Sequence, residues 1–416
     1  MRIGCFQLLM LGLSLAAAPS AFSRQSGTEP PEFTVSELVV RVLDGNRDLK
    51  AAIASLSAAQ AATAASRALP NPKLDFGGGR SSPRVGSGLQ GSVHSVGASQ
   101  LLEFGSVRSA RFESALADQR GTEFAIARVR NDLAARIRIQ AYEILLRQEE
   151  ASAAHEALRL LDEVRERIRV RVESGEAPRY EIIKADAEII GARQRRDAAR
   201  LQVQKSVLEV NRIAGGALPE SWSLKARLDD PLPAMSIEVL RREMTERSPE
   251  LAELQADIDR ARARLYSARA SRWPGVEVRV DHSREPDLVQ NRLGLSVSVP
   301  LLDDRAPVIE QASIELSRAQ QVLEGRRNEL MQEMLLAWKE LELAAGAVEA
   351  LGVGAVREAE AALRVAEAAY RFGERGILEV LDAQRVLRSV RFDLLQARFR
   401  LQSAKIVLEQ LAARYM

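Results

Sequence analysis

The chain has 416 residues, a net charge of +2, 28% charged residues, 4% aromatics and a single cysteine. That length suits two or three ordinary domains or one elongated architecture. The balanced charge argues against nucleic acid as a partner, and abundant Ala, Leu, Arg and Glu favour long ion-paired helices over a thick globular core.

The first element is an address. Arg2, the apolar run LLMLGLSLAAA at 8–18 and the small residues around Ala21-Phe22-Ser23 predict a signal peptide over 1–23, and hence export. Cys5 lies ahead of the apolar run and leaves with it, so the mature chain carries no disulfide, thiolate metal site or cysteine nucleophile. No cysteine follows that run, so no acyl anchor is expected. After Ser23 no stretch of 18 uncharged apolar residues occurs. The chain is therefore expected to be a soluble exported protein or one that crosses a membrane as strands.

Residues 24–33 read as a flexible lead-in. SELVVRVLDGNRDLKAAIASLSAAQAATAASRAL then predicts two helices that break near Gly45–Arg47 and stop at Pro70 and Pro72. Gly-rich and β-branched stretches predict strands at about 72–79 and 92–104. From Ser106 to Ser174 there is no proline and one glycine, Gly121, which predicts one helix on the order of 100 Å long. Residues 175–178 turn the chain, and a second helix completes a hairpin over 106–214. An irregular connector spans 216–235. The order then repeats: two helices split near Ser248-Pro249, strands at about 275–282 and 291–302, and a helical hairpin over 306–412. The chain thus reads as two structural repeats, 24–215 and 236–416. The hairpin turns carry the closest match. Gly175, Glu176, Glu181 and Ala185 stand against Gly373, Glu374, Glu379 and Ala383, each pair 198 positions apart (373 − 175 = 198).

The strands decide the class. Val276, Val278 and Val280 alternate with Glu277, Arg279 and Asp281, and Leu293, Leu295 and Val297 alternate with Arg292, Gly294 and Ser296. Such a sheet either packs on helices or faces lipid. Strands of about ten residues match a tilted bilayer crossing. A sheet in lipid must close, because lipid satisfies no open edge. Four strands are too few, so copies of the chain must share a barrel, of eight strands from two copies or twelve from three. The fold class is α+β, mostly α, with Trp273 and Phe104 at strand ends as interface aromatics or packing residues.

No nucleophile–base set, P-loop or dinucleotide fingerprint occurs, so no enzyme activity and no cofactor are expected. His94, His155 and His282 are scattered along the chain, and no metal site is expected. Asp229-Asp230 and Asp303-Asp304 read as turn and helix-start acids. Glu379 and Asp382, three apart, share a helix face and stand where the helix dipole also favours acids.

YRFGERGILEVLDAQ (370–384) and SGEAPRYEIIKADAE (174–188) resemble the two hairpin turns of the TolC-like outer membrane efflux protein family. VGASQLLEFGSVR (96–108) and LGLSVSVPLLDDRAP (293–307) resemble its cobalt–zinc–cadmium branch. The resemblance covers nearly all of the mature chain. It implies a homotrimer, with a twelve-stranded outer-membrane β-barrel set on a periplasmic α-barrel. It further implies a passive exit duct served by a periplasmic adaptor and an inner-membrane pump of the resistance-nodulation-division type, with divalent heavy-metal cations as one cargo class. At the periplasmic mouth it implies acidic rings from Glu379 and Asp382. It also implies gate-closing contacts by Tyr370 and Arg375, with Tyr180 and Glu181 as their partners in the first hairpin. Two departures stand out: no lipidated cysteine follows the signal, and the chain ends at Met416 without an extension to brace the tube. The other class of reading is an exported structural coiled-coil protein without a channel.

Overall fold

The computed structural model describes residues 30–82, 86, 89–231, 233–273, 275–298 and 303–416; the signal-peptide reading and the last four residues of the expected fourth strand lie outside them. The first half runs β1 (Glu32–Phe33), α1 (Val35–Gly45), α2 (Arg47–Ser66), β2 (Lys73–Ser81), β3 (Gly91–Leu102), α3 (Gly105–Glu173) and α4 (Arg179–Ala214). The second runs β4 (Ser223–Leu224), α5 (Ile237–Arg247), α6 (Pro249–Ala270), β5 (Val276–Arg284), β6 (Val289–Val297), α7 (Ala306–Glu349), α8 (Val356–Arg371) and α9 (Ile377–Leu411).

Three features depart from the sequence reading. The lead-in and the connector are not wholly irregular, because β1 pairs parallel with β4, and Phe33 is buried with Leu38, Val42, Ile137 and Val210. The long helix of the second half is not uniform, because a π-helical stretch, Ala350–Ala355 (ALGVGA), separates α7 from α8. Two of the histidines are not scattered in space: His94 and His282 sit diagonally on adjacent strands. The first and third pairings are made between segments far apart in the chain, and neither leaves a local signal.

Local chemistry explains the elements. Thr34 caps α1 through a reciprocal capping box with Glu37, and Asn46 both ends α1 and caps α2 by accepting from the Leu49 amide. α3 runs 69 residues without a break, on the order of 100 Å. It contains no proline, and Arg147, Arg159 and Arg169 each pair with glutamates three or four residues away. Such pairs give about 0.2–0.5 kcal/mol each, so packing must supply the rest. Leu158, Leu161, Val164 and Ile168 on α3 recur every three or four residues, as in a coiled coil, and meet Ala185 and Ile189 of α4 and Ile377, Val380 and Leu381 of α9. A second cluster, with Leu240, Met244, Met334 and Leu408 fully buried, ties α5, α7 and α9 together.

The sheet is antiparallel in the order β2-β3-β5-β6, with β2 and β6 as unpaired edges. Register puts Leu74, Ala98, Val280 and Leu293 in one cross-strand row and Gln100, Val278 and Leu295 in the next. Directly opposed residues share a face, so one face is apolar. Lys73, Asp75, Glu277, Arg279, Asp281 and Arg292 occupy the other. The apolar face is bare: Leu74, Phe76, Leu293 and Leu295 are 64–77% exposed. Among the described residues no helix is long and apolar enough to cross a membrane.

Candidate functional site at the hairpin tips

Both helical hairpins reverse through the same backbone device. Gly175 and Gly373 have φ of 80° and 76°, a left-handed conformation that disfavours side chains. At the first tip the Glu176 amide donates to the Arg171 carbonyl and the Gly175 amide to that of Val172. At the second, the Glu374 amide donates to the Ala369 carbonyl and the Gly373 amide to that of Tyr370. These are paired Schellman bonds, which satisfy the last carbonyls of each helix. Pro178 then stands at the N-cap of α4, while Gly376 does so for α9.

That geometry brings Tyr370 of α8 against α3 and α4. Its hydroxyl donates to Glu181 Oε2 at 3.1 Å, a bond between the two hairpins. The Arg171 guanidinium lies over the Tyr370 ring, 4.7 Å from its centre, and its Nη1 donates to the Tyr370 carbonyl at 3.4 Å. Burial, and then the Glu181 charge, push the Tyr370 phenol above its ordinary range, while Arg171 opposes the shift. The phenol therefore stays a donor at neutral pH. Tyr180 is 57% exposed and takes no part in this contact.

Arg375 does not reach the first hairpin. Its Nη1 donates to Glu379 Oε1 at 2.8 Å, an exposed i,i+4 pair within the second. Glu379 and Asp382 lie along one open groove, with Lys184, Glu188, Arg375 and Arg385 on its walls. Arg385 bridges the hairpins by donating to Glu188 at 2.9 Å, and Arg195 approaches the same carboxylate at 3.9 Å. One turn further on, burial and the charge of Arg195 hold the half-buried Arg388 guanidinium below its ordinary range. A third cross-link, Arg165 to Asp186, joins α3 to α4.

Of the residues picked from sequence, the fold joins Tyr370 to Glu181 and Arg375 to Glu379, and lines Glu379 and Asp382 on one groove. It leaves Tyr180 outside. Arg171, Glu188 and Arg385 were not foreseen. The available signal was Arg171 near the end of a helix with a glycine four residues on, but its partner lies 199 positions away. Among the described residues no group of three or more His, Cys, Asp or Glu could hold a metal ion.

Duplicated hairpins of this length carry a sheet with one oily face and two open edges, the fold of TolC-like outer-membrane efflux channels. The chain belongs to the outer membrane efflux protein family, whose profile matches residues 38–216 and 240–414, once in each half. It is an outer-membrane protein with a large periplasmic helical part. Among curated relatives it is 25% identical over 350 residues to the cobalt-zinc-cadmium resistance protein CzcC of Cupriavidus metallidurans, covering 83% of this chain and 82% of that one. It is 22% identical over 398 residues to the pyoverdine export outer membrane protein OpmQ of Pseudomonas aeruginosa, covering 89% and 83%. Among solved structures, CusC superposes with a TM-score of 0.78 at 21% identity over 92% of this chain and 93% of that one. The open-state outer membrane channel MtrE of Neisseria gonorrhoeae gives 0.76 at 20% identity, over 91% and 88%.

Proposed function

We propose that three copies of this chain form the exit duct of a tripartite efflux system, fed by an inner-membrane pump through a periplasmic adaptor, and that divalent heavy-metal cations are its cargo. One observation carries the reading: a four-stranded sheet with two unpaired edges and an apolar face that the helices leave bare. Edges left open in lipid cost several kcal/mol per unpaired group. Three sheets joined edge to edge remove every edge and give twelve strands, wide enough for a lumen. The second face, with Asp75, Arg279, Asp281 and Arg292, then lines water.

At the periplasmic end, Glu379 and Asp382 form two stacked acidic rings that admit cations in preference to anions. The Tyr370–Glu181 bond, with Arg171 stacked on the ring, latches the α8–α9 hairpin to α3–α4 and holds the mouth narrow. Arg375 restrains Glu379. Opening needs only that the adaptor favour the unlatched arrangement by more than this handful of contacts. The metal cargo draws on the similarity to the cobalt-zinc-cadmium resistance protein. Deleting the gene and measuring cellular cobalt, zinc and cadmium tests it. Accumulation of these ions with unchanged tolerance to organic drugs is expected, and the reverse pattern would assign a different cargo.

A further inference from the structure

The apolar face of the sheet changes character at one end. Its rows, read upward from the helices, are Leu102–Val276–Val297, Gln100–Val278–Leu295, Leu74–Ala98–Val280–Leu293 and Phe76–Val96–His282–Asn291. The next row is Gly78–His94–Arg284–Val289, and beyond it Arg80 stands opposite Ser92. Among the described residues of these rows there is no aspartate or glutamate. The opposite face mixes both signs, as in the approach of Arg279 to Asp75 at 3.7 Å. Arg80, His94 and Arg284 are all exposed, and the acids nearest in sequence are Glu285, which continues the pore-face alternation, and Asp287 in the turn.

Height decides what these groups meet. From Val276 to Arg284 is about 27 Å along the strand at about 3.4 Å per residue. A tilt of about 40° brings this to about 21 Å, close to the roughly 25 Å apolar band of an outer-membrane barrel. Trp273 and Phe104, both exposed, mark the helix end of the band. The basic rows therefore stand at the far lipid–water boundary, on the side away from the periplasmic helices.

We propose that Arg80, Arg284 and His94 form a binding site for the phosphorylated glycolipid of the outer leaflet, lipid A in its bisphosphorylated form. A patch with two arginines and, among its described residues, no carboxylate suits an anionic headgroup where it faces lipid at headgroup height, and a bisphosphate bound there satisfies both guanidinium groups. Bidentate arginine–phosphate geometry suits the pair. This site rests on the reading that the apolar face meets lipid.

Native mass spectrometry of the detergent-purified assembly tests it, with bisphosphorylated lipid A, fully dephosphorylated lipid A and phosphatidylglycerol as probes. The wild type is expected to hold bisphosphorylated lipid A at least tenfold more tightly than either other lipid. Arg80→Gln with Arg284→Gln is expected to weaken it about twenty-five-fold, about fivefold for each arginine removed beside an anionic surface. Arg279→Gln with Arg292→Gln removes as many arginines from the pore face and is expected to leave the preference intact. If the double variant fails to assemble, each single variant is expected to show about a fivefold loss. Equal binding of the three lipids, or equal loss from both pairs of variants, overturns the site. Conductance of the same preparations in planar bilayers reports separately on the channel reading: preparations that conduct but show no lipid A preference refute the site alone.

Discussion

Replacing Tyr370 by Phe removes one hydroxyl from the bond that joins the two hairpins, and leaves the ring under Arg171 in place. The bond at stake is the 3.1 Å contact to Glu181. A hydrogen bond to a charged group contributes about 1.5–3 kcal/mol. Both residues are partly open to solvent, so the low end applies, about 1.5 kcal/mol for each chain. If three chains release together, the closed state loses roughly 4.5 kcal/mol, and the ratio of open to closed channels rises about two-thousandfold. Single-channel recording in planar bilayers reads this directly as a higher open probability at unchanged fully open conductance. Glu181→Gln closes a double-mutant cycle, and the two changes together are expected to do little more than either alone. A Tyr370→Phe channel with wild-type open probability, in assemblies of unchanged thermal stability, would refute the latch.

Glu379→Ala with Asp382→Ala is expected to lower cation over anion selectivity, seen as a reversal potential moving toward zero in asymmetric salt; an unchanged potential would remove the acidic rings from the pore. Gly373→Ala forces a methyl into a left-handed backbone that has open space around it, so strain is the only cost, about 1–2 kcal/mol, measurable as a lower unfolding midpoint. Arg414 holds the Glu243 carboxyl below its ordinary range, so this pair stabilises the fold above about pH 4.5 and its contribution is lost as pH falls through the folded value. Glu243→Gln should therefore flatten the drop in melting temperature on acidification, and an identical pH profile in the variant would contradict it.

Much of the architecture was legible because it is written locally. A run of 69 residues without proline can only be continued as helix if its neighbours allow it, and the 198-residue echo of Gly175 in Gly373 marks positions where the backbone needs left-handed φ. Strand alternation was clean in Val276–Val280 because both faces carry side chains of opposite character. It was faint in Lys73–Ser81, where Gly77, Gly78 and Gly79 follow Phe76 and leave no pattern to read. The π-helical stretch leaves no signal in the sequence, because ALGVGA has nothing a helix forbids. At the tips, Tyr370, Glu181 and Glu379 were picked through family resemblance. Arg171 and Glu188 were not, since their partners Tyr370 and Arg385 are brought near only when two hairpins pack. For Arg375 the resemblance implies a gate-closing contact, and within this chain its guanidinium pairs with Glu379 four residues on.

The proposed channel requires that the sheets of separate copies seal one another. The mass of the assembly extracted from outer membranes in mild detergent, measured alongside its conductance, tests this most directly. Three chains per conducting particle is the predicted result, and a single chain that conducts in a bilayer would contradict it.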